Sequence, residues 1–143
     1  MSYDDEHHRI AIINMPHLSE KNPTTRGLDH IAFTYPILDA LALAYLQRKE
    51  NGILPAWPVN HGPTMSMYYR DPNGNSLEMQ VDNFDTNEET SAYLQSEDFL
   101  GNPIGVDYDP EELVRRLQSG EDPTSIKKRP ASGPRGFETV PIA

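Results

Sequence analysis

Residues 64–82 read TMSMYYRDPNGNSLEMQVD, two seven-residue runs on either side of Asp71-Pro72-Asn73-Gly74-Asn75. Proline fixes φ at one position, and Asn and Gly accept positive φ, so the five residues are a strong turn signal. The runs therefore predict a β-hairpin with strands Thr64 to Arg70 and Ser76 to Asp82. Strand side chains alternate between faces, so Leu77, Met79 and Val81 share one face while Ser76, Glu78, Gln80 and Asp82 share the other. If the turn pairs Arg70 with Ser76, the register sets Tyr68 directly opposite Glu78, a phenol beside a carboxylate.

Working outward, Leu28 to Tyr35 (LDHIAFTY) alternates, with Ile31, Phe33 and Tyr35 on one face and His30, Ala32 and Thr34 on the other, as in a half-buried strand. Pro36 ends it. From Ile37 to Glu50, Leu38, Leu41 and Tyr45 recur at helical spacing, Arg48 and Lys49 suit the negative helix end, and Gly52 sits where a terminating glycine belongs. Ile53 to Val59 reads as a strand weakened by Pro55 and Pro58, hence an edge or irregular one. The order over residues 27–83 is thus β-α-β-β-β, a complete module whose curved mixed sheet carries one helix on one face. This is an α+β fold.

Upstream, residues 8–13 (HRIAII) form a β-rich run followed by the loop composition of Asn14 to Arg26. A strand opening so near Met1 leads us to read residues 1–16 as the last strand of an incomplete preceding module. Downstream, residues 84–143 are expected to hold helices and an extended arm. Asn87 to Leu94 reads as a short helix; Asp109 caps a better one, with Pro110 at its first position and Gly120 beyond its end. Residues 121–143 show no clear period and read as an arm, either disordered or wrapped on the domain or a partner subunit, which leaves a homodimer or higher oligomer open.

The 143 residues suffice for one domain. The net charge of −10 would repel both nucleic acid and anionic lipid. Most of that excess is local, because Asp82 onward carries 13 acidic and 6 basic residues. The absence of cysteine excludes disulfides and thiolate zinc sites, and suits a reducing compartment such as the cytoplasm. No apolar run approaches a membrane span, and MSYDDEHHRI has no signal-peptide pattern.

His30 and Glu78 break the apolar pattern of strong strands from the polar side of one sheet. They read either as solvated strand residues or as metal ligands. A facial triad of two histidines and one carboxylate needs a third ligand, and the remaining histidines are His7, His8, His17 and His61. His61, in Asn60-His61-Gly62-Pro63, has a loop setting suited either to a site residue or to a surface histidine. His8 shares its strand face with Ile10 and Ile12, so period gives it no support as a ligand.

Gly27-Leu-Asp-His-Ile-Ala-Phe33, followed by the run from His61 through Asp-Pro-Asn-Gly-Asn to Glu78, resembles the closing module of vicinal oxygen chelate proteins, specifically the type I extradiol (catechol 2,3-) dioxygenases. The turn is common across that superfamily, and His30 and Glu78 stand 48 residues apart where the family has about fifty. More specific are Asp5-Glu6-His7-His8-Arg9-Ile-Ala, which resembles the final strand of the preceding module, and His61 and Tyr68, the latter ten residues before Glu78. The resemblance implies that His30 and Glu78 are ligands of Fe(II), with Mn(II) as the alternative metal. It implies that His61 and Tyr68 hold a substrate oxygen and that His8 acts as acid and base. The substrates implied are a small aromatic diol and O₂. The family's first metal histidine belongs to the preceding module, upstream of His8, so the resemblance implies a site with two of its three protein ligands. That leaves three readings open: a truncated form, inactive unless the missing segment is supplied, a form that borrows the missing half-sheet from another subunit, or one that no longer binds iron tightly. Other branches of the superfamily supply two alternatives, a metal-free binding protein of the bleomycin-resistance type and a glyoxalase-like isomerase.

Overall fold

The hairpin forms as the turn chemistry demands. In the computed structural model, which describes residues 5, 7–19, 22 and 26–141, Thr64–Arg70 (β3) and Ser76–Asp82 (β4) are antiparallel with Arg70 opposite Ser76 and Tyr68 opposite Glu78. Asp71 closes the turn, its carboxylate accepting from the backbone N–H groups of Asn73 and Asn75 at 2.9 and 2.7 Å. His30–Thr34 (β1) runs parallel to β4, an arrangement that needs a crossover, and Leu38–Glu50 (α1) begins it. Trp57–Asn60 (β2) pairs antiparallel with β3, and Val106–Asp107 (β5) closes the far edge. The sheet order is β1-β4-β3-β2-β5, mixed and unclosed, with the expected β-α-β-β-β order inside it.

Four further helices follow: Asn87–Leu94 (α2), Glu97–Gly101 (α3), Pro110–Gln118 (α4) and Pro123–Lys127 (α5). Thr86 caps α2 through a reciprocal capping box with Glu89, and Asp109 caps α4 ahead of Pro110. The core lies on one face of the sheet, where Met65, Met67, Tyr69, Met79 and Val81 meet Leu38, Leu41 and Tyr45 of α1. Leu113, Val114 and Ile126 bring α4 and α5 onto the same face. Tyr45 donates to Glu111, which also receives Lys49 at 2.5 Å, so a polar clamp ties α1 to α4 beside the apolar contact. With helices holding one face, the opposite face of β1, β4 and β3 is left for polar side chains, and Trp57 and Val59 of β2 form a small apolar cluster with Ile104 beside them.

Three expectations need correction. Residues 8–13 form no strand, and Ile12 and Ile13 are more than 70% exposed. Strand propensity reflects the fit of side chains to a paired, half-buried surface, and among the described residues this run is not one of the sheet's five strands. The strand expected from Ile53 begins only at Trp57, because Pro55 has no N–H to give a ladder. The described part of residues 121–143 is no simple arm. It holds α5 and a 3-10 turn at Phe137–Thr139, and it wraps against its own domain. Arg129, its side chain 2% exposed, donates to the carbonyls of His61, Asn102 and Asp98 at 3.2, 2.7 and 2.7 Å. Among the described residues no helix is long and apolar enough to cross a membrane.

Candidate functional site

Alternation in β1 and β4 places His30 and Glu78 on the open face, and the register sets Tyr68 beside Glu78. Glu78 is 4% exposed. His30 Nε2 lies 3.0 Å from its Oε2, and His61 Nε2 lies 3.9 Å from its Oε1. Tyr68 Oη is 3.0 Å from His61 Nε2 and also within hydrogen-bonding reach of Glu78. Three residues, from two strands and one loop, thus converge on a single buried carboxylate.

Hydrogen-bond partners decide the imidazole tautomers. His61 Nδ1 lies 2.5 Å from the carbonyl of Ile104, which only accepts, so Nδ1 carries the proton and neutral Nε2 is left as acceptor for the Tyr68 hydroxyl. Burial holds His61 below its ordinary pKa, although the Ile104 carbonyl and Glu78 pull the other way. Burial, then the charge of Glu78, pushes Tyr68 well above the usual phenol value, so its hydroxyl keeps its proton. His30 Nδ1 is 2.6 Å from the exposed carboxylate of Asp29 and donates to it, turning Nε2 toward Glu78.

That geometry tests the donor set for a metal. A neutral His30 would oppose its Nε2 lone pair to Glu78 Oε2, and two acceptors 3.0 Å apart need a cation between them, a proton or a metal ion. Donors held at ~2.1 Å in adjacent positions of an octahedral ion are ~3.0 Å apart, and imidazole with carboxylate suits iron or manganese. A carboxylate on the far nitrogen of a ligating histidine is the usual second layer of such sites. His30 and Glu78 therefore fit two positions of a facial donor set. Among the described residues no group of three potential ligands assembles.

The loop that carries His61 is pinned from below. Asn60, buried at the end of β2, accepts from Gly62 N–H at 3.0 Å and from Asn83 Nδ2 at 3.1 Å, and donates to the Lys127 carbonyl at 2.8 Å. Arg129 holds the His61 carbonyl. Above these groups opens a cleft of about 720 Å³, lined by His30, His61, Tyr68, Trp57, Ile104 and residues of the C-terminal segment. His30, His61 and Tyr68 thus face one space, and Glu78 is buried against all three. His8 does not line it; its ring is exposed and meets His7 edge-on, with centroids 5.1 Å apart.

Trp57 is a cleft residue that the sequence reading passed over. Its ring stacks on Tyr68 at 5.1 Å and meets His61 edge-on at 5.6 Å, while Nε1 donates to Asp107 at 2.8 Å. The signal was period two: Trp57, Val59 and His61 share parity along the strand expected over Ile53 to Val59.

Comparison with known proteins finds two curated relatives. The chain is 42% identical over 131 residues to "Biphenyl-2,3-diol 1,2-dioxygenase 3" of Rhodococcus globerulus, covering 90% of this chain and 69% of that one. It is 41% identical over 121 residues to "Biphenyl-2,3-diol 1,2-dioxygenase 2" of the same organism, covering 84% of this chain and 64% of that one. No family model matches the chain, and no solved structure does.

Proposed function

The chain belongs to the type I extradiol dioxygenases of the vicinal oxygen chelate superfamily, and from that membership we propose that it opens the ring of a catechol-type aromatic diol with O₂ in the cleft above Glu78. The carbon–carbon bond beside the diol breaks, and both atoms of O₂ enter the product. The observation that carries this reading is the convergence of His30, His61 and Tyr68 on the buried carboxylate of Glu78.

Family membership implies a metal cofactor, and we assign it as Fe(II) with His30 and Glu78 as two of its protein donors. When bound, Fe(II) supplies a path for electrons between the diol and O₂. The chain's own residues do the rest. Tyr68, held protonated, donates a hydrogen bond to a substrate oxygen that acquires negative charge on binding. His61 Nε2 is the acceptor able to take the diol proton, and its Nδ1 bond to Ile104 keeps that nitrogen turned inward. Trp57 and Ile104 give the cleft apolar walls that exclude water and strengthen both interactions.

Tyr68→Phe tests these roles. It removes one hydroxyl without changing the stack on Trp57, so it is expected to lower kcat/KM for the diol roughly 10- to 100-fold, the range for a hydrogen bond to a charged group. Fe(II) affinity is expected to stay within about twofold, because ring and carboxylate geometry persist. Steady-state oxygen uptake beside an anaerobic metal titration reads both quantities. An unchanged kcat/KM would remove Tyr68 from the mechanism.

A further inference from the structure

The two helices that follow β4 do little for the core. No residue of α2 or α3 is fully buried, and the apolar face of the sheet is covered by α1, α4 and α5 instead. What α2 supplies is one ring. Tyr93 packs between Phe84 and Phe99, their ring centres 5.2 and 6.0 Å from its own, and it also meets Gly62, the residue after His61. A Cβ at Gly62 would overlap the ring carbons and hydroxyl of Tyr93, and Gly62 holds φ +102. Ring and backbone therefore touch directly, and the ring acts as a stop for the His61–Gly62 peptide.

Polar contacts turn the stop into a lock. The Tyr93 hydroxyl donates to Asp98 Oδ2 at 2.6 Å. The same oxygen accepts from Arg129 Nη2 at 2.7 Å, and the guanidinium carbon lies 5.6 Å from the Tyr93 ring centre. Arg129 Nη1 then donates to the His61 carbonyl at 3.2 Å, while Asn83 Nδ2 donates to the Gly62 carbonyl at 2.8 Å. Side-chain donors thus hold two successive carbonyls of the loop. Burial, and then the bond to Asp98, pushes the Tyr93 phenol up to about 12, so its hydroxyl stays a donor at neutral pH. Tyr93, Asp98 and Arg129 do not line the cleft; they reach it through His61.

We propose that Tyr93, Asp98 and Arg129 are positioning residues for ring opening: together they fix the His61–Gly62 backbone, and with it the point at which the His61 imidazole meets the diol. This rests on the reading of His61 as the diol's proton acceptor. The Ile104 carbonyl sets the rotation of the imidazole, whereas the lock sets where its backbone stands. A misplacement of about 1 Å can cost on the order of 100-fold in rate, so a support that never touches the substrate is felt in kcat.

The test is a double-mutant cycle between Tyr93 and His61, using the full chain with Fe(II) and a catechol. Oxygen uptake gives kcat, and slow variants are read in single turnovers at stoichiometric enzyme. Tyr93→Ala is expected to lower kcat about 10- to 100-fold. Fe(II) affinity is expected to stay within about twofold, because His30 and Glu78 stand on paired strands outside the lock. Tyr93→Phe keeps the ring against Gly62 and is expected to restore kcat to within about threefold of the wild type. In a His61→Ala background, Tyr93→Ala is expected to cost no more than a further twofold or so, since the group it positions is gone. Asp98→Ala, at a side chain 49% exposed, carries the same cycle if the small residue at position 93 prevents folding. A Tyr93→Ala or Asp98→Ala loss that multiplies undiminished onto that of His61→Ala overturns the lock, as does a wild-type kcat in both variants; either result leaves the ring-cleaving reading in place. Failure of the wild type to cleave the diol overturns both.

Discussion

Glu78→Ala is expected to abolish metal-dependent behaviour while leaving a folded protein. Glu78 is one of the two donors proposed to hold the metal, and its loss would leave His30 as the other proposed donor. Mutating groups that merely support ligands costs 10- to 100-fold in affinity, so loss of a ligand is expected to cost at least about 100-fold. The stability effect has the opposite sign. In the metal-free protein Glu78 is a buried carboxylate whose ion-pair partners among the described residues are two histidines, and desolvating such a charge is expensive. The shape-conserving Glu78→Gln is accordingly expected to melt no lower than the metal-free wild type. A metal at a hundredfold excess over its Kd adds about 2.7 kcal/mol to the wild type, and neither variant receives that gain. Thermal melts with and without Fe(II) measure both effects. A wild-type-sized metal gain in Glu78→Ala would exclude Glu78 as a ligand.

Gly105→Ala is expected to be the most destabilising single-methyl change in the molecule, at about 3 kcal/mol or more. Gly105 has φ +111, and a Cβ there would lie 2.3 Å from the carbonyl oxygen of Asn60 and 2.8 Å from the Cα of His61. Both are backbone atoms, so neither can rotate away. The strain would push β5 off β2 and move the Ile104 carbonyl that orients His61. Activity should therefore fall with stability. Gly120→Ala is the control. It has φ +79 with nothing within 4 Å, so it isolates the backbone cost of about 1 kcal/mol. Urea denaturation of the two variants side by side separates collision from conformation; equal losses would refute the close approach of Gly105 to Asn60.

The parts of the site legible in the sequence are those fixed by local rules. Turn chemistry set the β3–β4 register, and the register alone put Tyr68 opposite Glu78. Alternation put His30 on the same face, helical spacing recovered α1, and the cap residues Asp109, Pro110 and Gly120 recovered α4. What escaped depends on partners far along the chain. The run at 8–13 has strand composition but is not among the five strands of the sheet. β5 is two residues long, held by pairing with Val59 and Asn60, and no two-residue pattern can announce itself. The link from Arg135 through Asp107 to Trp57 spans residues that sequence distance gives no reason to associate. The arrest of His61 by Ile104 and Arg129 is invisible for the same cause.

The central claim is ring opening by O₂ in the cleft over Glu78, and its most direct test is the balance between oxygen and diol. The protein is loaded anaerobically with Fe(II), given a catechol, and exposed to ¹⁸O₂ while oxygen and diol are followed together. The account predicts equimolar loss of both, and a product whose mass is that of the diol plus both labelled oxygen atoms. Tight retention of the diol with no oxygen uptake would contradict it and would make the chain a binding protein built on the same sheet.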